Sequence, residues 1–229
     1  MGMLYGDTLL LPVGCSCIAQ FQLQMATRMP PGQASSQLLD WTIATPRATV
    51  RLLRRRLPVV ASADDLFLLP TSRAGVKSVP GLYFWHIRRS LGLPETEPLR
   101  DLAHQGEAVA RFVEQHRHQV AKLGQRRRRL VCLWSNVQPN LRHAAEINGL
   151  PWSHFRLTAA RHRGIRAACA SLPADEVSTW FVGRPEDVSP ALHGRDDVLL
   201  LDLPRSATDF QGTPDLFEPL FARIRPLLR

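Results

Sequence analysis

Two kinds of segment alternate along the chain: short, nearly continuous apolar runs, and longer segments in which apolar residues recur every three or four positions. Apolar runs bounded by glycine or polar residues are typical of strands buried on both faces. The helical spacing predicts amphipathic helices that cover those strands. The runs lie at residues 9–13, 130–134, 179–182 and 198–203, and the helical spacing at residues 18–27, 46–57, 99–123, 141–148, 164–171 and 215–227.

This alternation predicts an α/β fold, layered, with a largely parallel central sheet flanked by helices. Two further stretches, residues 81–86 and 152–157, also have the character of strands, and the first is rich in aromatic residues. With 229 residues, of which 45% are hydrophobic, the chain is long enough for one sizeable core. We therefore expect a single domain over residues 1–229.

No apolar run approaches the roughly 20 residues that a membrane-spanning helix needs, and no secretory leader pattern precedes the first run. The sequence therefore predicts a cytoplasmic protein without a membrane span.

The chain is basic, with 29 Lys and Arg residues against 20 Asp and Glu residues and a formal net charge of +9. All of the basic residues except Lys77 and Lys122 are arginine. Two arginine runs, residues 54–56 and 126–129, are each placed at the end of a helix-like segment, where cations complement the carboxyl end of the helix dipole. The alternative explanation of these runs is that they bind an anionic ligand or partner, such as nucleic acid, a phosphorylated cofactor or an acidic polysaccharide.

The four cysteines are Cys15, Cys17, Cys132 and Cys169, and they form neither a Cys-x-x-Cys pair nor a doublet at zinc-ligand spacing. Cysteines of a cytoplasmic protein are normally reduced, so no disulfide framework and no metal site are expected. Cys132 lies inside an apolar run and Cys169 inside a helix-like segment, which is typical of small core residues.

Cys17 lies where the first apolar run ends and the first helix-like segment begins. Gly14 supplies the turn, and Cys17 is expected in the first helical turn, where unpaired N–H groups and the helix dipole lower the pKa of a thiol. Cys15 follows Gly14 directly and is expected in the turn itself. The pattern favours Cys17 as a nucleophile, although the spacing alone leaves Cys15 open.

Other polar residues are predicted at ends of strands or in adjoining loops, where α/β proteins gather their ligands. Asp40 precedes Trp41, His86 ends the aromatic stretch, and Asn136 follows the strand predicted at residues 130–134. A cysteine nucleophile requires a base and a group that orients the base. His86 is the candidate base and Asp40 the candidate orienting group. The residues expected to bind substrate or cofactor are Gly14, Cys15, Ser16, Trp41 and Asn136.

These residues resemble the motifs of a bacterial family designated papain-like cysteine peptidases. Gly14-Cys15-Ser16-Cys17 stands where that family has an opening of the type Leu-Gly-Ser-Asn-Cys, which aligns Cys17 with the family cysteine. Leu39-Asp40-Trp41 is similar to its Phe-Asp-Trp motif, and Phe84-Trp85-His86 to its Phe-x-His element. The resemblance implies hydrolysis of a peptide or amide bond.

Three functions follow as hypotheses. The first is a cysteine hydrolase that acts on an acyl or amide carbonyl of a small-molecule, peptide or saccharide substrate, without a cofactor. The second is a CoA-dependent acyltransferase in polysaccharide or natural-product assembly, because a thioester intermediate can be resolved by an alcohol or amine. The third is a non-enzymatic protein that binds an anionic polymer or nucleic acid through its arginine-rich surface. The sequence does not determine the oligomeric state.

Overall fold

The computed structural model describes residues 3–5, 8–15, 18, 42–93, 99, 101–206 and 214–228. Its strands are β1 Met3–Tyr5, β2 Thr8–Pro12, β3 Thr42–Ala44, β4 Leu66–Leu68, β5 Ala74–Val76, β6 Leu82–Phe84, β7 Arg127–Ser135, β8 Ala174–Gly183 and β9 Val198–Leu200. Its α-helices are α1 Pro46–Arg55, α2 Ile87–Ser90, α3 Gly106–Leu123, α4 Leu141–Glu146, α5 Ala159–Ala170 and α6 Glu218–Ile224. Short 3₁₀ turns connect several of them.

The central sheet has the strand order β1-β2-β7-β8-β9. Strands β2, β7, β8 and β9 are mutually parallel, and only the edge strand β1 is antiparallel to its neighbour. The predicted α/β fold with a largely parallel sheet is therefore confirmed. None of the helices in the described part of the chain is both long and apolar enough to cross a membrane.

Strand β7 occupies the middle of this sheet because both of its faces are apolar. Leu130, Cys132 and Trp134 belong to one hydrophobic cluster. Val131 and Leu133 belong to a second cluster, which also includes α6 residues. The alternation of side chains along a strand sends successive residues to opposite faces, so a continuous apolar run can satisfy two cores.

The second sheet is built by the chain between β2 and β7 and is antiparallel, in the order β3-β6-β5-β4. The aromatic stretch at residues 81–86 contributes β6, as its composition predicts. Phe84 contacts Phe112 of α3 edge to face, with 4.8 Å between the ring centroids. Residues of both sheets belong to one hydrophobic cluster.

Helix α1 begins as its sequence predicts. The Thr45 side chain accepts a hydrogen bond from the backbone N–H of Ala48, and Pro46 occupies the first turn, where a missing N–H costs nothing. The helix ends at Arg55, two residues before the predicted limit, because Arg56 adopts a left-handed conformation with φ 50°.

The strand predicted at residues 152–157 is wrong. Residues Trp152–Phe155 form a 3₁₀ turn, and Leu157 alone makes a bridge, to Val188. In a 3₁₀ turn residues three apart are eclipsed, which lets the rings of Trp152 and Phe155 stack with 5.5 Å between centroids. The Trp152 indole N–H also donates to Asp187 at 2.7 Å, which holds the turn to the next loop.

Helix α3 is shorter than predicted, since it begins at Gly106 and not at residue 99. The placement of residues 126–129 at a helix end is also wrong, because α3 ends at Leu123 and β7 begins at Arg127. The neighbouring strand supplies acids to this run. Arg126 pairs with Asp175 at 2.6 Å, and Arg129 pairs with Glu176, its register partner, at 2.7 Å.

His116 of α3 links the helix to the loop after α1. Its Nε2 atom accepts a hydrogen bond from the backbone N–H of Val59 at 3.0 Å, and the side chain is buried. Protonation would place a hydrogen on Nε2 and remove this acceptor. Burial lowers the pKa of His116 from 6.5 to about 4, so the folded protein holds the neutral imidazole.

We expect this histidine to make the folded state less stable in acid. Because its pKa is lower in the folded than in the unfolded state, its contribution is complete above pH 6.5 and is lost as the pH falls toward about 4. The loss amounts to at most about 3 kcal/mol. Urea unfolding of the wild type and of His116→Gln, which keeps an acceptor but does not titrate, measures it. The difference in unfolding free energy between the two proteins should change over this pH range, and a constant difference would contradict the assignment.

Candidate functional site

The carboxyl ends of the parallel strands lie at one edge of the central sheet, where α/β proteins place their ligand sites. Gly14 and Cys15 follow β2, Asn136 follows β7, and Arg184 follows β8. The structure therefore brings Gly14, Cys15 and Asn136, three of the predicted site residues, to a common edge. We call this the carboxyl edge of the sheet.

Gly14 lies so close to β7 that no side chain fits. A Cβ atom at this position would be 2.5 Å from the backbone nitrogen of Ser135 and 3.0 Å from the Cα atom of Trp134. Backbone hydrogen bonds on both sides fix the approach, from Val13 N–H to Leu133 O at 2.9 Å and from Cys15 N–H to Ser135 O at 3.1 Å. The backbone pairing of these two segments thus continues beyond the end of β2.

Cys15 is fully buried in the hydrophobic cluster that contains Trp134. Burial raises the pKa of its thiol well above the usual value, and the charge of Arg161 opposes this only in part. Cys15 is therefore a neutral thiol at physiological pH, as expected of a packing residue. Its predicted role in substrate binding stays a prediction.

Cys132 and Cys169 are also fully buried. A hydrogen bond with Cys169, together with burial, raises the pKa of the Cys132 thiol well above its usual value. All three cysteines of the described residues are thus enclosed in the core. Cys17 lies outside the described residues, as do Ser16, Asp40 and Trp41.

Asn136 is fully buried at the carboxyl edge. Its backbone N–H donates to Val182 O at 3.2 Å, and its side-chain amide donates to Phe155 O at 3.0 Å. Its Oδ1 atom has no hydrogen-bond partner among the described residues and faces Gly183, where a Cβ atom would lie 3.2 Å away. Asn136 therefore ties the ends of β7 and β8 to the turn that contains Phe155.

His86 lies two residues after the end of β6, in the turn before α2, and is half-buried. It therefore lies beside the second sheet, outside its strands. The neighbouring Trp85 ring carries the Arg73 guanidinium 5.3 Å from its centroid. In that sheet Phe84, two residues before His86, pairs with Thr42, two residues after Asp40.

Arg184 is a residue that the sequence analysis missed. It is buried, and its guanidinium donates to Leu203 O and, at 3.3 Å, to Val137 O, so it joins the loops that follow β7, β8 and β9. Burial lowers its pKa, and the charge of Arg205 acts in the same direction. Its position immediately after Gly183, at the end of a predicted strand, was the signal that could have identified it.

A surface cleft of about 310 Å³ opens beside these loops. Each of its two arginines is paired with a carboxylate: Arg142 with Glu146 at 2.9 Å, and Arg205 with Glu186 at 2.6 Å. The positive charges of the cleft are therefore balanced locally by carboxylates. It is lined by Pro139, Arg142, His143, Glu146, Arg205 and Ser206.

His162 of α5 forms a second feature that the sequence did not indicate. Its Nε2 atom lies 2.9 Å from Asp197 Oδ2, and its ring lies 4.3 Å from that of Phe181, centroid to centroid. Burial lowers the pKa of His162, against the opposing effect of Asp197. With 3% of its side chain exposed, His162 joins α5 to the chain before β9 and is enclosed in the protein.

Within the described residues, no group of three or more His, Cys, Asp or Glu side chains is arranged to hold a metal ion. Comparison of the chain with protein-family models, with curated proteins and with solved structures finds no match. The function must therefore be inferred from the geometry of the site.

Replacing Gly14 by alanine should destabilise the fold by about 1–3 kcal/mol, because the added methyl group would displace the backbone of β7. Gly106→Ala is the control, since no heavy atom lies within 4 Å of a Cβ there and its φ of −40° suits any residue. Chemical unfolding of both variants measures the effect. Equal stabilities of the two variants would show that the close approach at Gly14 does not exist.

Cys15, Cys132 and Cys169 should be protected from iodoacetamide in the native protein, since all three are fully buried. All of them should react after unfolding in guanidinium chloride. Peptide mapping by mass spectrometry distinguishes the individual sites. Rapid native alkylation of any of the three would contradict the packing described above.

Proposed function

We propose that the protein is a cysteine-nucleophile enzyme that acts on an acyl or amide carbonyl. Cys17 is the nucleophile, His86 the base, and Asp40 the group that orients His86. The motifs around these residues resemble those of papain-like cysteine peptidases, and the proposal extends that chemistry to this chain. A reducing, cytoplasmic environment suits such a thiol and is part of the proposal.

The observation that carries this proposal is the structure on either side of Cys17. Cys15, two residues before it, is hydrogen-bonded to the end of β7. Ile18, the residue after it, is helical and fully buried in the cluster on the opposite face of the sheet from Cys15. A strand end and a helical residue thus flank Cys17 in the sequence. Two residues of chain, the separation of Cys15 and Cys17, span at most about 7 Å. This supports a cysteine at the carboxyl edge near the start of a helix.

The burial of the other cysteines supports the same assignment. Cys15 is held as a neutral thiol by burial, and Cys132 and Cys169 are enclosed between β7 and α5. None of these three can reach a substrate without opening of the core. Cys17 is the remaining cysteine of the chain.

The register of the second sheet supports the pairing of His86 with Asp40. Thr42 pairs with Phe84 in an antiparallel arrangement. Asp40 comes two residues before Thr42, and His86 comes two residues after Phe84. Because β3 and β6 are antiparallel, both residues are connected to the same end of the strand pair. This connectivity favours a carboxylate close to the imidazole, as a base and its orienting group require.

In the proposed reaction the Cys17 thiolate attacks the carbonyl carbon and forms a tetrahedral oxyanion. Backbone N–H groups of Cys17 and the next residue are the natural donors to that oxyanion. His86 then transfers the thiol proton to the leaving group, which departs to give a thioester. Water, activated by the same imidazole, resolves the thioester in the hydrolase.

Acyl transfer from CoA remains the alternative, because it differs only in the donor and in the acceptor that resolves the thioester. The cleft at the carboxyl edge is large enough for part of such a ligand. Its two arginines are already paired with Glu146 and Glu186, so the charge of the cleft does not single out CoA. Hydrolysis is therefore our first choice.

Cys17 should react with iodoacetamide faster than free cysteine at neutral pH, with a rate midpoint below about pH 8.5. His86→Ala should move this midpoint upward, because the ion pair that stabilises the thiolate is lost. His118→Ala, at an exposed position of α3, is the matched control and should leave it unchanged. The rate is followed against pH by peptide mapping.

The proposal fails if Cys17 reacts no faster than free cysteine, or if His86→Ala and His118→Ala give the same pH profile as the wild type.

A further inference from the structure

Helix α1 presents an outer face made of arginine. Successive residues of a helix are rotated by about 100°, which places Arg47, Arg51, Arg54 and Arg55 within one arc of about 100°. All four are exposed, and the remaining residues of the helix are buried except Val50, which is half-buried. The helix contains no Asp or Glu.

Helix α5 packs beside α1 and runs in the same direction. Arg56, at the end of α1, donates to the carbonyl of Ser171 at the end of α5, and a Cβ atom at Gly164 of α5 would lie 3.5 Å from Val50 Cγ2. The outer face of α5 carries the exposed Arg163 among alanines, and this helix also contains no Asp or Glu. The two helices thus form a continuous basic surface. We call it the arginine face: Arg47, Arg51, Arg54, Arg55 and Arg163.

The arginine face differs from the other basic surfaces of the protein in having no carboxylate partners within the described residues. On α3, by contrast, Arg111 pairs with Glu107 and Arg117 with Glu114. Around the start of β7, arginines pair with acids at the start of β8. The helix dipole explains cations in the last turn of α1, at Arg54 and Arg55. It does not explain Arg47, which lies in the first turn, where the dipole disfavours a cation.

The spacing of the arginine face suits an extended anion. Arg47 and Arg55 are separated by about 12 Å along the helix axis, and the packed helix lies about 8–10 Å to the side. Guanidinium groups bind phosphate through two parallel hydrogen bonds, and rigid helices hold them at fixed distances. A repeating phosphate backbone therefore matches the surface better than a single phosphate group.

The residues of the arginine face indicate which class of polyanion it suits. Neither helix exposes an aromatic ring on which an unpaired base could stack. The apolar residues of α1 face the core, and Leu57, beyond the end of α1, is the one large apolar residue that is strongly exposed nearby, at 64%. Binding in a bilayer interface requires a whole apolar face, which this surface lacks.

We propose that the arginine face binds the phosphate backbone of a nucleic-acid duplex without reading its sequence. The surface belongs to the helices and not to the carboxyl edge of the sheet. It is therefore independent of the proposed thiol chemistry.

Fluorescence anisotropy with a labelled DNA duplex tests this interaction. The triple variant R47Q/R51Q/R54Q removes three charges from the face. The control triple variant R111Q/R117Q/R142Q removes three charges from arginines that are paired with glutamate. Glutamine has a helix propensity close to that of arginine, and circular dichroism verifies that both variants are folded.

We expect wild-type affinity to fall steeply between about 50 and 200 mM salt, with a logarithmic slope near −0.9 for each phosphate contacted. R47Q/R51Q/R54Q should lower the affinity at least about tenfold and reduce the size of the slope by about 3. The control variant should remain within about twofold of the wild type, a margin that allows for the smaller net charge. Two unrelated duplex sequences should bind equally well.

Four results would overturn the proposal: no binding at low salt, equal loss in both triple variants, stronger binding to the unpaired single strand than to the duplex, or binding to vesicles that contain phosphatidylserine without binding to the duplex.

Discussion

The close approach of Gly14 to Ser135 is the constraint on which the arrangement of the carboxyl edge depends. Hydrogen bonds from Val13 and Cys15 to β7 extend the pairing past the end of β2, and the missing side chain at Gly14 lets the two backbones meet. Cys15 then packs on one face of the sheet and Ile18 on the other. Ser16 and Cys17, which connect these two residues in the sequence, lie outside the described residues.

Three groups of arginines in the protein have different physical roles. Arg126 and Arg129, around the start of β7, pair with acids at the start of β8, so these charges are balanced between two adjacent strands. Arg184 is buried and satisfies carbonyl groups of the strand-end loops. Among the described residues the arginine face of α1 and α5 has no carboxylate partner, so solvent, salt or an anionic ligand would relieve the repulsion between its guanidinium groups. The net charge of +9 therefore includes the charges of arginines that are paired with acids, buried against carbonyl groups or exposed on a helix face.

The central sheet was predictable from the sequence because β7 and β8 carry apolar runs that suit strands buried on both faces. The 3₁₀ turn at Trp152–Phe155 was not, since ring stacking and the bond to Asp187 depend on a distant loop. The position of Gly14 at a strand end was also evident, but the atom that excludes a side chain belongs to β7. The position of Arg184 after a predicted strand was also visible in the sequence, but the carbonyl groups that it binds belong to loops that meet only in the folded protein.

The central claim is that the carboxyl edge presents Cys17 as an acyl acceptor. The most direct measurement is mass spectrometry of the protein after brief exposure to p-nitrophenyl acetate, followed by peptide mapping at acidic pH, where thioesters persist. The account predicts one acetyl group, located on Cys17, that forms within the burst of p-nitrophenol release and accumulates more slowly in His86→Ala. Acetylation confined to lysine or to the chain terminus, with Cys17 unmodified, would contradict it.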